Sequence, residues 1–247
     1  MDNELRPFWS RIFSFDWKFG FFLILAVCVP RFILVLNANS SGNYSSIGVI
    51  MTVSAIAPFI FLSKSGRNKI GIVGSKKYSW ILLAFVAGLT ASLLLHLLGQ
   101  EMYRNSYENW YHYIDKSYKI PQRITSSNKS ILFSIMALTG MTFSPVGEEL
   151  FFRGIVQSSF ANSIGERKAS IVEGSAFALT HISHFGLVFI DSKWSLFGFP
   201  TLIWVDSMFL VSLLFITFKK YTKSLLGAIV CYSAFNLGMI FCIFYLL

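Results

Sequence analysis

The run SWILLAFVAGLTASLLLHLL, Ser79–Leu98, holds no Asp, Glu, Lys or Arg. As a helix rising 1.5 Å per residue it spans about 30 Å, the thickness of a bilayer's hydrocarbon core. Backbone polar groups in lipid must be satisfied internally, so this stretch reads as a transmembrane helix. Comparable apolar runs lie on either side of it: Phe19–Leu36, Ile47–Leu62, Ser130–Asn162, Ala169–His184, Phe197–Phe218 and Ser224–Leu247. The chain is therefore expected to be all-α, a polytopic transmembrane helical bundle of about seven spans. Its two parts would be residues 1–129, N-terminal transmembrane helices with an interfacial loop, and residues 130–247, a transmembrane core.

The whole composition agrees. Of the 247 residues, 54% are hydrophobic and only 13% charged, which excludes disorder and an ordinary water-soluble enzyme. The net charge of +9 comes from 21 Lys and Arg against 12 Asp and Glu. The positive-inside bias accounts for that excess, so the expected partner is a lipid bilayer and not a nucleic acid. The loop Ser63–Tyr78 carries Lys64, Arg67, Lys69, Lys76 and Lys77, whereas Asn37–Ser46 carries no basic residue. With Arg6, Arg11 and Lys18 this predicts a cytoplasmic N-terminus and a multi-pass protein of the plasma membrane. Phe19–Leu36 reads as a retained span, interrupted by Pro30 and Arg31, a kink or a snorkelling arginine. The connection Gly99–Lys129, rich in Tyr and Trp, reads as interfacial. Cys28, Cys231 and Cys242 lie in apolar stretches without metal-ligand spacing and read as small core residues.

An ionisable residue inside the bilayer costs about 2.5–3.5 kcal/mol on insertion scales, so each needs a reason. The second half gathers Glu148, Glu149, Arg153, Glu173, His181, His184 and Asp206. About a turn at Gly165, the helices before and after it form a hairpin that sets Glu149 and His181 at equal depth, with Glu148 close by. Asn236 on the last helix falls near the same level. A carboxylate and an imidazole can hold one water, which the carboxylate deprotonates for attack on a carbonyl. An asparagine can stabilise the oxyanion. Alternatively, Glu148 and His181 bind zinc, which activates the same water. Each residue also has a plainer reading. Glu149 and Arg153, spaced i, i+4, make an intrahelical ion pair, which leaves Glu148 unexplained. A lone His181 is a structural histidine, His184 is interfacial, Glu173 snorkels, and Asp206 joins two helices.

Glu148-Glu149-Leu150-Phe151-Phe152-Arg153 resembles the EExxxR motif of the CAAX-protease and bacteriocin-processing family, also called Abi. Its setting, Pro145 to Gly154, is typical of that family. Phe177-Ala-Leu-Thr-His181 resembles the family's FxxxH motif, and Asn236 falls where its HxxxN motif ends. The resemblance covers about residues 130–240. It implies an intramembrane endopeptidase in which Glu148 activates water, His181 positions it, and Glu149 and Arg153 support them. It implies an oxyanion site at Asn236 and at the histidine position of the last motif, which here is Tyr232. A tyrosine hydroxyl can donate a hydrogen bond but is a poor neutral metal ligand. No cofactor is then required, with zinc on Glu148 and His181 the alternative. The implied substrate is a peptide or membrane-protein segment, in peptide or bacteriocin maturation or immunity, and family and size together imply a bacterial source. Two rivals stand beside this reading. One is a non-catalytic relative that binds a partner or confers immunity. The other is a small transporter using the acids as a proton relay.

Overall fold

The computed structural model describes residues 3–118 and 125–247. Ten helices and one β-hairpin follow in order: α1 Trp17–Ser41, α2 Ser45–Phe61, α3 Lys64–Lys69, α4 Tyr78–Tyr103, α5 Trp110–Tyr118, α6 Ser126–Glu148, α7 Gln157–Ile164, α8 Glu166–Thr180, β1 Leu187–Ile190, β2 Lys193–Leu196, α9 Gly198–Thr222 and α10 Leu225–Tyr245. A π-helical stretch, Glu149–Val156, joins α6 to α7 into one continuous rod.

Among the described residues, five helices are long and apolar enough to cross a membrane: α1, α4, the rod Ser126–Ile164, α9 and α10. The seven expected passes resolve into these five plus two shorter ones. α2 is apolar but has 17 residues, and α8 has 15 and carries Glu166, Arg167, Lys168 and Glu173. The protein is an all-α, multi-pass membrane bundle.

Local chemistry explains where the helices begin and bend. Asp16 caps α1 by accepting from the Lys18 and Phe19 amides, Thr125 caps α6, and Ser224 caps α10. Pro145 lies inside α6 and has no N–H to give the Met141 carbonyl. That carbonyl instead accepts from the Ser233 hydroxyl of α10 at 2.6 Å. The helix widens into its π-stretch just beyond, a distortion often found at functional sites.

Small residues bring the helices together, as expected where lipid supplies no hydrophobic drive. A Cβ on Gly88 of α4 would collide with the Cys231 carbonyl of α10, and one on Gly147 of α6 would sit 2.7 Å from the Met51 carbonyl of α2. Gly88→Val is expected to lower stability by about 1–3 kcal/mol, the usual cost of overpacking. A melting curve in detergent checks it, and an unchanged midpoint would show that α4 and α10 are not in close contact.

One end of the bundle is strongly basic. The N-terminal segment, the α2–α4 connection and the α7–α8 and α9–α10 turns meet there. Lys69 reaches both Glu4 (2.6 Å) and Asn162 (2.9 Å), and the Leu225 amide donates to the Gly71 carbonyl. The hydrogen bond from Lys69 holds the Glu4 carboxyl below its usual range. The opposite end carries α5 and the hairpin.

Two features there depart from expectation. Trp110, Tyr111 and Tyr113 of α5 are core residues and not interfacial ones. Their polar atoms find partners inside: the Trp110 indole donates to the Leu95 carbonyl, the Tyr111 hydroxyl to the Ser92 carbonyl. The rest of that connection includes 119–124, which lie outside the described residues. The hairpin β1–β2 stands where the apolar pattern offers only a connection between two helices. Its turn, Asp191–Ser192, has φ of 49° and 61°, the pair of left-handed conformations that matches strand twist in a tight hairpin.

Candidate functional site

Glu148 closes α6 just before the helix widens. His181 follows the last residue of α8, where the chain tightens into a 3-10 turn over His181–Ser183. Tyr232 and Asn236 stand one turn apart on α10. These four residues line one cavity of about 110 Å³, together with His184 and Arg31. At about 30 Å³ per water it has room for a few water molecules. Ile114 and Tyr118 of α5 line the same cavity.

Glu148 is buried, and its two oxygens differ. Oε1 accepts from Arg31 Nη2 at 2.8 Å and from the Tyr232 hydroxyl at 3.2 Å. Oε2 has no partner among the described residues. His181 Nδ1 lies 2.7 Å from the Phe177 carbonyl. A carbonyl only accepts, so Nδ1 carries the proton and Nε2 is left as an acceptor. The Trp204 indole donates to the His181 carbonyl at 2.9 Å, and the ring rests against Phe177 with centroids 4.3 Å apart. Asn236 donates to the Gly140 carbonyl at 2.8 Å. The Tyr232 ring stacks on Phe215.

Glu149 and Arg153 do not line this cavity. Arg153 is fully buried, 3.1 Å from Glu149 and 3.5 Å from Glu173, and its guanidinium lies over the Phe177 and Phe215 rings. Lys219 donates to the Arg153 carbonyl and to Gln157. Arg153 thus packs on the same Phe177 whose carbonyl orients His181.

Several sequence readings are revised. Glu149 faces Arg153 and Glu173, while Glu148 shares the cavity with His181. The hairpin contacts Arg153–Glu173 and Gln157–Ser170 are centred ahead of Gly165, which removes the equal-depth symmetry of Glu149 with His181. Glu173 is an ion-pair partner and does not snorkel. His184 lines the cavity and is not interfacial. Asp206 is exposed on α9 and joins no second helix. Arg31 does not snorkel: it is 3% exposed and pairs with an acid 117 residues away. Its single signal in the sequence is a charge in the middle of an apolar run.

Zinc fits this donor set poorly. Three protein ligands are usual at a catalytic zinc. Among the described residues no three His, Cys, Asp or Glu gather as a metal-binding group. Glu148 Oε1 is already committed to Arg31 and Tyr232, and a neutral tyrosine stands where a third ligand would be needed.

Neither a curated protein nor a solved structure matches the chain. A family model does: type II CAAX prenyl endopeptidase Rce1-like, over residues 130–238. That segment holds Glu148, His181, Tyr232 and Asn236 but not Arg31. Over residues 130–238 the chain is similar to that family, and its long apolar helices are those of a multi-pass membrane protein.

Proposed function

We propose that the protein is an intramembrane endopeptidase that cleaves a peptide or membrane-protein segment with water held between Glu148 and His181. Glu148 Oε2, the free oxygen, takes a proton from that water. His181 accepts the water's other hydrogen through Nε2 and so aims the oxygen lone pair at the scissile carbonyl carbon. The C–O bond forms as the carbonyl electrons move onto its oxygen. Tyr232 and Asn236, which line the same cavity, are the neutral donors assigned to receive that oxyanion. Collapse of the intermediate breaks the C–N bond, and Glu148 returns its proton to the leaving amine. Glu149 and Arg153 support the site from behind, through Phe177. The observation that carries this reading is an unpartnered carboxylate oxygen on a residue that lines the same small cavity as an imidazole of fixed tautomer.

The experiment compares the membrane peptidomes of cells making wild type or Glu148→Gln. A precursor should accumulate in the variant and its shorter product should vanish. Identical peptidomes with equal amounts of folded protein would reject the hydrolase. A bacterial source and a role in peptide maturation or bacteriocin immunity belong to this proposal. So does the orientation: the end bearing Lys69, Lys219, Lys220 and Lys223, with the N-terminus, is cytoplasmic by the positive-inside bias.

A second reading has its own support. The Tyr232 hydroxyl is engaged with Glu148, and one of the two Asn236 amide hydrogens with Gly140, so the tyrosine donor and half of the asparagine's donor capacity are occupied at rest. A non-catalytic relative that binds a partner would keep such an arrangement. Under it, Glu148→Gln leaves the cellular phenotype intact.

A further inference from the structure

The cation that meets the candidate base comes from outside the Rce1-like segment. Arg31 lies in α1, 99 residues ahead of the start of the matched domain, immediately after Pro30. Its Nη2 donates to Glu148 Oε1 at 2.8 Å, and both side chains are almost wholly buried. Other charges near Glu148 are otherwise engaged. Arg153 is shared by Glu149 and Glu173, and Lys219 holds the Arg153 carbonyl and Gln157. The remaining titratable groups around the pair are Tyr232 from α10, Tyr118 from α5, His181 and His184 beyond α8, and Cys28 from α1.

A buried carboxylate without a partner charge is too costly to persist as an anion. The Arg31 guanidinium supplies that partner charge. It also selects an oxygen. Arg31 and Tyr232 both bind Oε1, so the anion's unshared capacity is concentrated on Oε2.

We propose that Arg31 is a positioning residue for Glu148, supplied by the N-terminal helix. It holds the carboxylate turned so that Oε2 is the oxygen that takes the proton of the attacking water. The consequence for hydrolysis rests on the reading above, but the pairing does not. The Rce1-like segment is therefore incomplete without α1.

The test uses the full chain in native membranes and dicyclohexylcarbodiimide, an apolar reagent that adds to protonated carboxyl groups. Labelling of Glu148 is read by mass spectrometry on the peptide that contains it. Wild type and Arg31→Lys, which keeps the charge, should label weakly. Arg31→Met, which leaves the buried carboxyl without its partner charge, should label several-fold more. Arg31→Gln, polar and closer in shape, repeats the measurement if the methionine variant does not fold. Equal labelling of wild type and both neutral variants would overturn the proposal, as would labelling of Arg31→Lys to the level of a neutral variant. A purely structural role would not make labelling follow the charge. With a cleaved precursor as probe, Arg31→Met should lower kcat about a hundredfold with KM little changed, as misplacement of a reacting group does. An unchanged kcat would overturn the positioning role. An unchanged Glu148→Gln peptidome would instead remove the hydrolase reading and leave the ion pair standing.

Discussion

Arg153→Met is expected to cost about 3–5 kcal/mol, the penalty for leaving a buried charge without its partner. Most soluble domains have only about 5–15 kcal/mol in total, so little folded protein should be recovered from detergent. The reason is the position of Arg153 between two acids. Glu149 and Glu173 are both fully buried, and no other cation contacts either carboxylate among the described residues. Removing the guanidinium also strips the cation from the faces of Phe177 and Phe215. The control is the triple variant Arg153→Met, Glu149→Leu, Glu173→Leu. Replacing a whole buried ionic group with apolar residues is often neutral, so the triple variant should regain most of the loss. Thermal unfolding of the three proteins in one detergent checks this. If Arg153→Met melts with the wild type, the network is not a structural support.

The second large effect concerns turnover. His181→Ala should lower the rate of precursor cleavage by about 10²–10⁴, the contribution of a well-placed acid–base group. Combining it with Glu148→Gln should lower the rate no further than the worse single variant, because groups that act on one water act as a unit. Initial rates for the two single variants and the double variant decide it. Strictly multiplicative losses would mean that the two residues act in separate steps. His181→Ala removes the imidazole contact to the Phe177 carbonyl but keeps the Trp204 bond to the backbone carbonyl of residue 181.

What the sequence made legible follows from where charge is expensive. Glu148, Glu149, Arg153 and His181 stand out because each interrupts an apolar run, and their spacing on consecutive helices carried the family resemblance that the match over 130–238 supports. Partner choice was not legible in the same way. Glu149 and Arg153 are neighbours on one helix, but the second acid on Arg153 comes from α8, and the cation on Glu148 comes from α1. Both depend on how helices face one another, which periodicity in a uniformly apolar segment does not encode. Trp110, Tyr111 and Tyr113 misled for a related reason. An amphipathic aromatic serves equally at a membrane surface and in a core that offers a carbonyl to its polar tip. The hairpin at 187–196 was hidden between two helices because its strands have four residues each and its turn contains no glycine.

The central claim is that Glu148 deprotonates a water lodged beside His181. It is tested most directly with purified protein in proteoliposomes and the precursor that accumulates in Glu148→Gln cells. Wild type should generate one new C-terminus at a steady rate. Glu148→Gln, equally folded, should generate it at least about a hundredfold more slowly. Cleavage of the same bond by Glu148→Gln at a rate near wild type would contradict the account.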